Sequence, residues 1–223
     1  MRENLTEIVF ILDRSGSMSG LESDTIGGFN SMISKQQKEE GDAIVSTVLF
    51  DDQTEVIHDR VPIGKVKKLA DDDYYVRGCT ALLDAVGGAI HHIGNVHKYA
   101  RAEDRPAKTL FVITTDGLEN ASRRYSFKDV KKMIKRQKEK YNWEFLFLGA
   151  NIDAIKVAGS MGISRVRAAN YNCDKVGTAL NYQVLEAAVS RVRKCKAADM
   201  ANAFSGGAWK EDIDRDFEER SSK

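Results

Sequence analysis

The chain has little that would tie it to a membrane, a nucleic acid or an oxidising compartment. No apolar run approaches the roughly 20 residues of a membrane-spanning helix, and the opening residues MRENLTEIVF lack the apolar core of a secretory signal. Neither charge dominates. With 34 basic residues against 33 acidic ones, no global field calls for a nucleic acid or an anionic surface. The three cysteines, Cys79, Cys173 and Cys195, are odd in number and widely spaced, without a metal-binding C-x-x-C pair. A reduced, cytoplasmic setting is the expectation. The phosphate-cradling patterns G-x-x-x-x-G-K-[ST] and G-x-G-x-x-G are absent, and the residues around Ser15 and Ser17 do not fit the G-x-S-x-G of serine hydrolases.

What is present begins with EIVFILDRSGSMSG, Glu7 to Gly20. Five consecutive apolar residues, Ile8 to Leu12, predict a strand covered on both faces, as in a parallel sheet. Ligands of open α/β sheets sit outside the carboxyl ends of such strands, which is where Asp13, Ser15 and Ser17 fall. In an extended or gently turning segment alternate side chains point the same way, so these three can converge while Arg14 and Gly16 point elsewhere. Carboxylate and hydroxyl oxygens suit a small hard cation, at roughly 2.0–2.1 Å for Mg2+.

The pattern Asp13-x-Ser15-x-Ser17 after an apolar strand resembles the metal-ion-dependent adhesion site (MIDAS) of von Willebrand factor A (VWA) domains. That site takes a threonine and an aspartate from two later loops. RGCTALLDA offers Thr80, and TLFVITTDGLEN offers Asp116 at the end of a second apolar strand, Thr109 to Thr115. The resemblance covers roughly residues 5 to 195. It implies an intracellular, bacterial-type member, a VWA-like domain over residues 1–196, and a divalent cation, Mg2+ with Mn2+ or Ca2+ as alternatives. It also implies direct ligation by the hydroxyls, with the aspartates acting largely through water. Neutral ligands leave the cation electrophilic, so a glutamate or aspartate of a partner protein can complete its shell. Intracellular relatives implied by the resemblance act as adaptors, with AAA-type ATPases or stress-response assemblies as the kind of partner.

Along the chain, strand and helix alternate, which predicts a Rossmann-like, doubly wound and mostly parallel sheet with helices on both faces. Leu21, Thr25, Phe29, Met32 and Ile33 mark a first helix. Ala43 to Phe50 and Thr54 to Val61, joined by Asp51-Asp52-Gln53, predict a hairpin whose second strand is an antiparallel edge, with its carboxylates and His58 as edge protection. Asp71-Asp72-Asp73 reads as a solvated turn or helix cap, since consecutive side chains cannot easily face one ion. A long helix follows Thr80 to about Tyr99. Its His91, His92 and His97 are spaced poorly for chelation and read as surface histidines. Ser126 to Asp129 resembles a capping box opening a helix with Phe127, Val130 and Ile134 inward and a basic, solvated outer face. Trp143 to Ala150 and Arg165 to Asn170 predict two more strands, around a short helix over 151–158. A helix over Lys175 to Lys194 follows, with Val176, Leu180, Val184 and Ala187 inward.

Residues 197–223 form an acidic amphipathic extension. Ser205-Gly206-Gly207 reads as a flexible break, and Trp209, Ile213 and Phe217 recur every four residues among six acidic ones. Packing against the parent domain is the commoner fate of such a segment; docking on another chain, even at a neighbour's metal site, is the sharper possibility. The expected function is a metal-dependent protein-binding module without catalysis. The rival is a Mg2+-dependent phosphatase or phosphotransferase using Asp13 as nucleophile. That chemistry asks for a second carboxylate two residues on, where this chain has Ser15, and no later lysine stands out as a phosphate anchor.

Overall fold

The computed structural model describes residues 1–221. Six strands form one sheet in the order β3-β2-β1-β4-β5-β6. In chain order they are β1 (Arg2–Asp13), β2 (Asp42–Phe50), β3 (Thr54–Pro62), β4 (Pro106–Thr115), β5 (Glu144–Gly149) and β6 (Ala168–Asn170). All neighbours run parallel except β3, which pairs antiparallel with β2 at the edge. The helices are α1 (Glu22–Gln36), α2 (Leu82–Tyr99), α3 (Phe127–Tyr141), α4 (Ala154–Ser160), α5 (Lys175–Lys194) and α6 (Glu211–Ser221). The expected mixed α/β sheet with one antiparallel edge is the one observed. None of the described helices is long and apolar enough to cross a membrane.

β1 is central because its residues are apolar on both faces. Ile8, Phe10 and Leu12 join α1, α5 and the C-terminal segment in one core, while Val9 and Ile11 join α2, α3 and α4 in the other. Each such side chain contributes about 1.5–3 kcal/mol on burial. Pairing between two parallel neighbours fixes where β1 ends: Leu12 lies opposite Thr114 of β4, and Asp13 opposite Phe50 of β2. Asp13 and the segment after Thr115 therefore emerge at the same rim.

Several local expectations are corrected. His58 is not edge protection: its ring is buried, meets the Thr47 hydroxyl through Nδ1 at 3.0 Å and stacks on Phe29. The histidines of α2 divide. His91 and His92 are exposed, but His97 turns inward against Trp143 and bonds the buried Glu7 carboxylate, which also holds Arg60. Ser126 and Asp129 do form a reciprocal capping box, yet Phe127 is exposed, because it precedes the first inward position, Val130. The buried stripe of α5 runs through Leu185, Ala188, Val189 and Val192, leaving Val176 and Ala187 outside. The rotation follows from contact with α1, where Gly28 leaves room for the Tyr182 ring; a Cβ there would lie 2.1 Å from it.

The Ser205-Gly206-Gly207 stretch folds as a defined turn. Both glycines are left-handed, with φ of 77° and 81°, values that a side chain would strain. The turn folds Phe204 and Trp209 edge to face and delivers Trp209 Nε1 to the Val166 carbonyl at 2.7 Å. Ile213 of α6 completes the buried cluster beside α5, and Arg220 ties α6 to Asp174.

Candidate metal centre at the sheet rim

The loop after β1 is held from two sides. Arg14 is fully buried, and its Nε bonds Asp51 Oδ2 at 2.8 Å while Nη1 reaches Glu55. Asp51 Oδ2 also accepts from Arg77 Nε, and the backbone N–H of Arg77 donates to the Arg14 carbonyl. Burial alone would raise the Asp51 carboxyl, but bonds from Arg77, Gln53 and Arg14 together hold it below the ordinary range. Arg14 pointing into this network leaves Asp13, Ser15 and Ser17 on the other side of the loop.

Three of the five expected residues meet directly. The Ser15 and Ser17 hydroxyl oxygens are 3.1 Å apart, and the Thr80 hydroxyl donates to Ser15 Oγ at 3.1 Å. Ser15 and Thr80 are buried, whereas Ser17 is exposed. Asp13 lies beneath them. Its Oδ1 accepts from the Ser15 N–H at 2.7 Å and its Oδ2 from the Thr115 hydroxyl at 2.5 Å. Burial pushes the Asp13 carboxyl above the ordinary carboxylate range, opposed by the Thr115 and Ser15 bonds and reinforced by the nearby charge of Asp116.

Asp116 follows β4. Its neighbour Gly117 passes so close to the hydroxyl cluster that a Cβ there would lie 2.8 Å from Thr80 Oγ1 and 3.1 Å from Ser17 Oγ. Asp116 Oδ2 accepts from the Cys173 thiol at 3.0 Å, while Oδ1, also buried, has no hydrogen-bond partner among the described residues. Burial, with the Asp116 bond adding to it, pushes the Cys173 thiol up to about 12. Among the described residues, no three His, Cys, Asp or Glu side chains are grouped to hold a metal, so any cation here depends on the hydroxyls.

Some supporting residues were not foreseen from sequence. Asn120 clamps Thr80, accepting its N–H at 2.9 Å and returning its own to the Thr80 carbonyl. The Glu119 carboxylate accepts from the N–H groups of Leu83, Ala121 and Ser122, and Asp84 accepts from those of Arg123, Arg124 and Tyr125. These bonds strap the loop after Asp116 to the first turn of α2. Carboxylates early in α2 and in the following loop were the available signal for the strap. For Cys173, remote in sequence and preceding α5, there was none.

The cavity reaching Asp13 is small, about 20 Å3, and a far larger one, about 1210 Å3, lies between α2 and α3 with none of the five residues in its lining. Small-molecule sites typically enclose about 300–1,000 Å3. The hydroxyl cluster is thus a rim feature.

Comparison with solved structures places this architecture. Proximal thread matrix protein 1 from the mussel byssus superposes with a TM-score of 0.60 at 13% identity, over 84% of this chain and 46% of that one. A von Willebrand factor type A protein from Catenulispora acidiphila gives 0.53 at 15% identity, over 85% and 43%. The fold is von Willebrand factor A-like. Manganese-loaded TRAP of Plasmodium vivax also matches this VWA-like chain, with 0.53 at 13% identity over 81% and 73%. The byssus protein is also known with zinc in its MIDAS motif, matching at 0.57 and 12% identity over 84% and 46%. The chain spans less than half the length of the byssus and Catenulispora structures. No protein-family model matches it, and neither does any curated protein.

Proposed function

We propose that this VWA-like chain is a metal-dependent protein-binding module, in which Asp13, Ser15, Ser17, Thr80 and Asp116 form a metal-ion-dependent adhesion site. The observation that carries the reading is the buried Asp116 Oδ1. It has no partner among the described residues, and the next residue, Gly117, borders the hydroxyls of Ser17 and Thr80, both of which meet that of Ser15. A buried carboxylate oxygen without a donor is costly, and an oxygen-rich cluster next to it fits a hard cation. Mg2+ is the cation we propose, with Mn2+ and Ca2+ as alternatives.

When bound, the cation supplies an electrophilic centre whose open position takes a carboxylate from a partner protein. The chain's own residues prepare the site. Arg14, locked to Asp51, holds the loop so that Ser15 and Ser17 face Thr80. Thr115 and the Ser15 N–H orient Asp13, and Asn120 fixes the Thr80 backbone. Cys173 occupies one Asp116 oxygen and leaves the other available. An AAA-type ATPase or a stress-response assembly is the kind of partner the family resemblance implies. A reduced, cytoplasmic setting belongs to the proposal, on the odd number and wide spacing of the cysteines.

Nucleophilic use of Asp13 is disfavoured. Both its oxygens already accept hydrogen bonds, the side chain is buried, and the adjoining cavity would hold no phosphorylated substrate. Capture of partners from lysate, with Mg2+ or with chelator, tests the reading on wild type beside Asp116→Ala. A partner retained only by wild type with metal supports it. An unchanged partner list, or turnover of a chromogenic phosphate ester that Asp13→Ala abolishes, overturns it.

A further inference from the structure

Between the carboxyl end of β1 and helices α1 and α5 lies the cavity of about 20 Å3, lined by Asp13, Thr25, Tyr171, Thr178, Asn181 and Tyr182, among others. Thr25 comes from α1, and Thr178, Asn181 and Tyr182 from α5. Thr25, Thr178 and Asn181 are all at most 5% exposed; the Thr25 hydroxyl lies by the Tyr74 phenol, while Thr178 Oγ1 and Asn181 Oδ1 have no hydrogen-bond partner among the described residues.

Two unsatisfied buried oxygens on one small space are a rare arrangement. Folded proteins pair nearly all buried polar groups, and leaving one unpaired forfeits its full hydration. A space of roughly 10–15 Å3 admits a water, which is retained where two to four polar groups can bond it. The cavity clears that size, and its lining supplies the groups.

We propose that this cavity binds one ordered water, and that through it α5 positions Asp13. The hydrogen-bond count closes. The water accepts from the Thr178 hydroxyl and donates to Asn181 Oδ1 and to the Asp13 carboxylate. Each Asp13 oxygen carries one bond, from Ser15 N–H or from Thr115, and so keeps a lone pair for a second. Thr178 and Asn181 are then positioning residues acting on Asp13 without touching a cation. The water site stands on its own; only its effect on cation affinity rests on the proposed adhesion site.

Thr178→Val and Thr178→Ser separate the outcomes. Val keeps the shape and removes the hydroxyl; Ser restores it. The test combines a metal-free crystal structure of the full chain, thermal melts, and Mg2+ affinity by calorimetry. The expected results are a density peak within hydrogen-bonding distance of Thr178 Oγ1 and Asn181 Oδ1, a melting temperature lowered by Val and recovered by Ser, and Mg2+ binding weakened about tenfold by Val alone, the low end for outer partners of metal ligands.

A dry cavity overturns the proposal, and its signature is distinct, since removing an unsatisfied hydroxyl would then raise the melting temperature. Density or stability that follows Na+ or K+ when choline replaces them overturns the assignment to water. Loss of the density peak in Val with Mg2+ affinity unchanged overturns the positioning role. If wild type binds no Mg2+, the adhesion-site reading and the positioning of a metal ligand both fall, while density and melts still decide whether the water is there.

Discussion

The Thr80 hydroxyl donates to Ser15 Oγ at 3.1 Å, joining loops 65 residues apart in sequence. Neither residue needs that bond for its backbone placement: Asn120 holds Thr80, and the Arg14–Asp51 pair holds the loop of Ser15. The hydroxyl is therefore free to serve a ligand. Thr80→Ala should keep the melting transition within about 1 kcal/mol of wild type and weaken Mg2+ binding by at least about tenfold. Denaturant melts and calorimetry on the same protein check both. A collapse of stability with cation affinity intact would assign Thr80 to the scaffold.

The Arg14–Asp51 pair should behave oppositely, as scaffold. Both side chains are fully buried, so removing the acid strands a guanidinium whose remaining ion-pair partner, Glu55, is half exposed. Breaking such a pair costs roughly 3–5 kcal/mol. Asp51→Ala should lose that much in urea unfolding, and Arg77→Ala far less, since Arg77 is partly solvated. Equal losses would place the energy in the outer pair.

Much of the sheet was legible because the determining signal is local. Ile8 to Leu12 and Leu110 to Ile113 are apolar without interruption, the pattern of a strand covered on both faces. Asp13 and Asp116 could be placed at a rim for the same reason, the one closing its strand and the other following directly on its own. What escaped was set by partners distant in sequence. His58 looks like a polar residue on an edge strand until Phe29 and Thr47 cover it. The face of α5 depends on Gly28 admitting Tyr182, which the period of α5 does not encode. Cys173 lies beside Asp116 only because β6 and α5 bring it there.

His58 makes a pH prediction with a definite sign. Burial lowers its pKa below the ordinary 6.5, so the unfolded chain takes up a proton before the folded one. The stability it contributes is fully present above about pH 6.5 and is lost as pH falls toward the folded pKa. Between about pH 7.5 and 5.5, wild type should lose more unfolding free energy than His58→Gln, measured by urea denaturation. Identical losses would mean that His58 protonates as readily in the fold as in the unfolded chain.

The C-terminal segment contributes core. Trp209, with Phe204 and Ile213, is buried against β6 and α5. Trp209→Ala should cost about 3–5 kcal/mol, whereas the exposed Glu211→Ala should change little. Chemical denaturation of the two variants decides between a packed segment and one that leaves the domain without consequence.

The central claim is that five residues hold a divalent cation at the sheet rim, and isothermal titration of Mg2+ and Mn2+ into wild type and Asp116→Ala tests it most directly. The account predicts one site per chain in wild type and none in Asp116→Ala, with identical circular dichroism. Cation binding of equal strength in both proteins, or none in wild type, would contradict it.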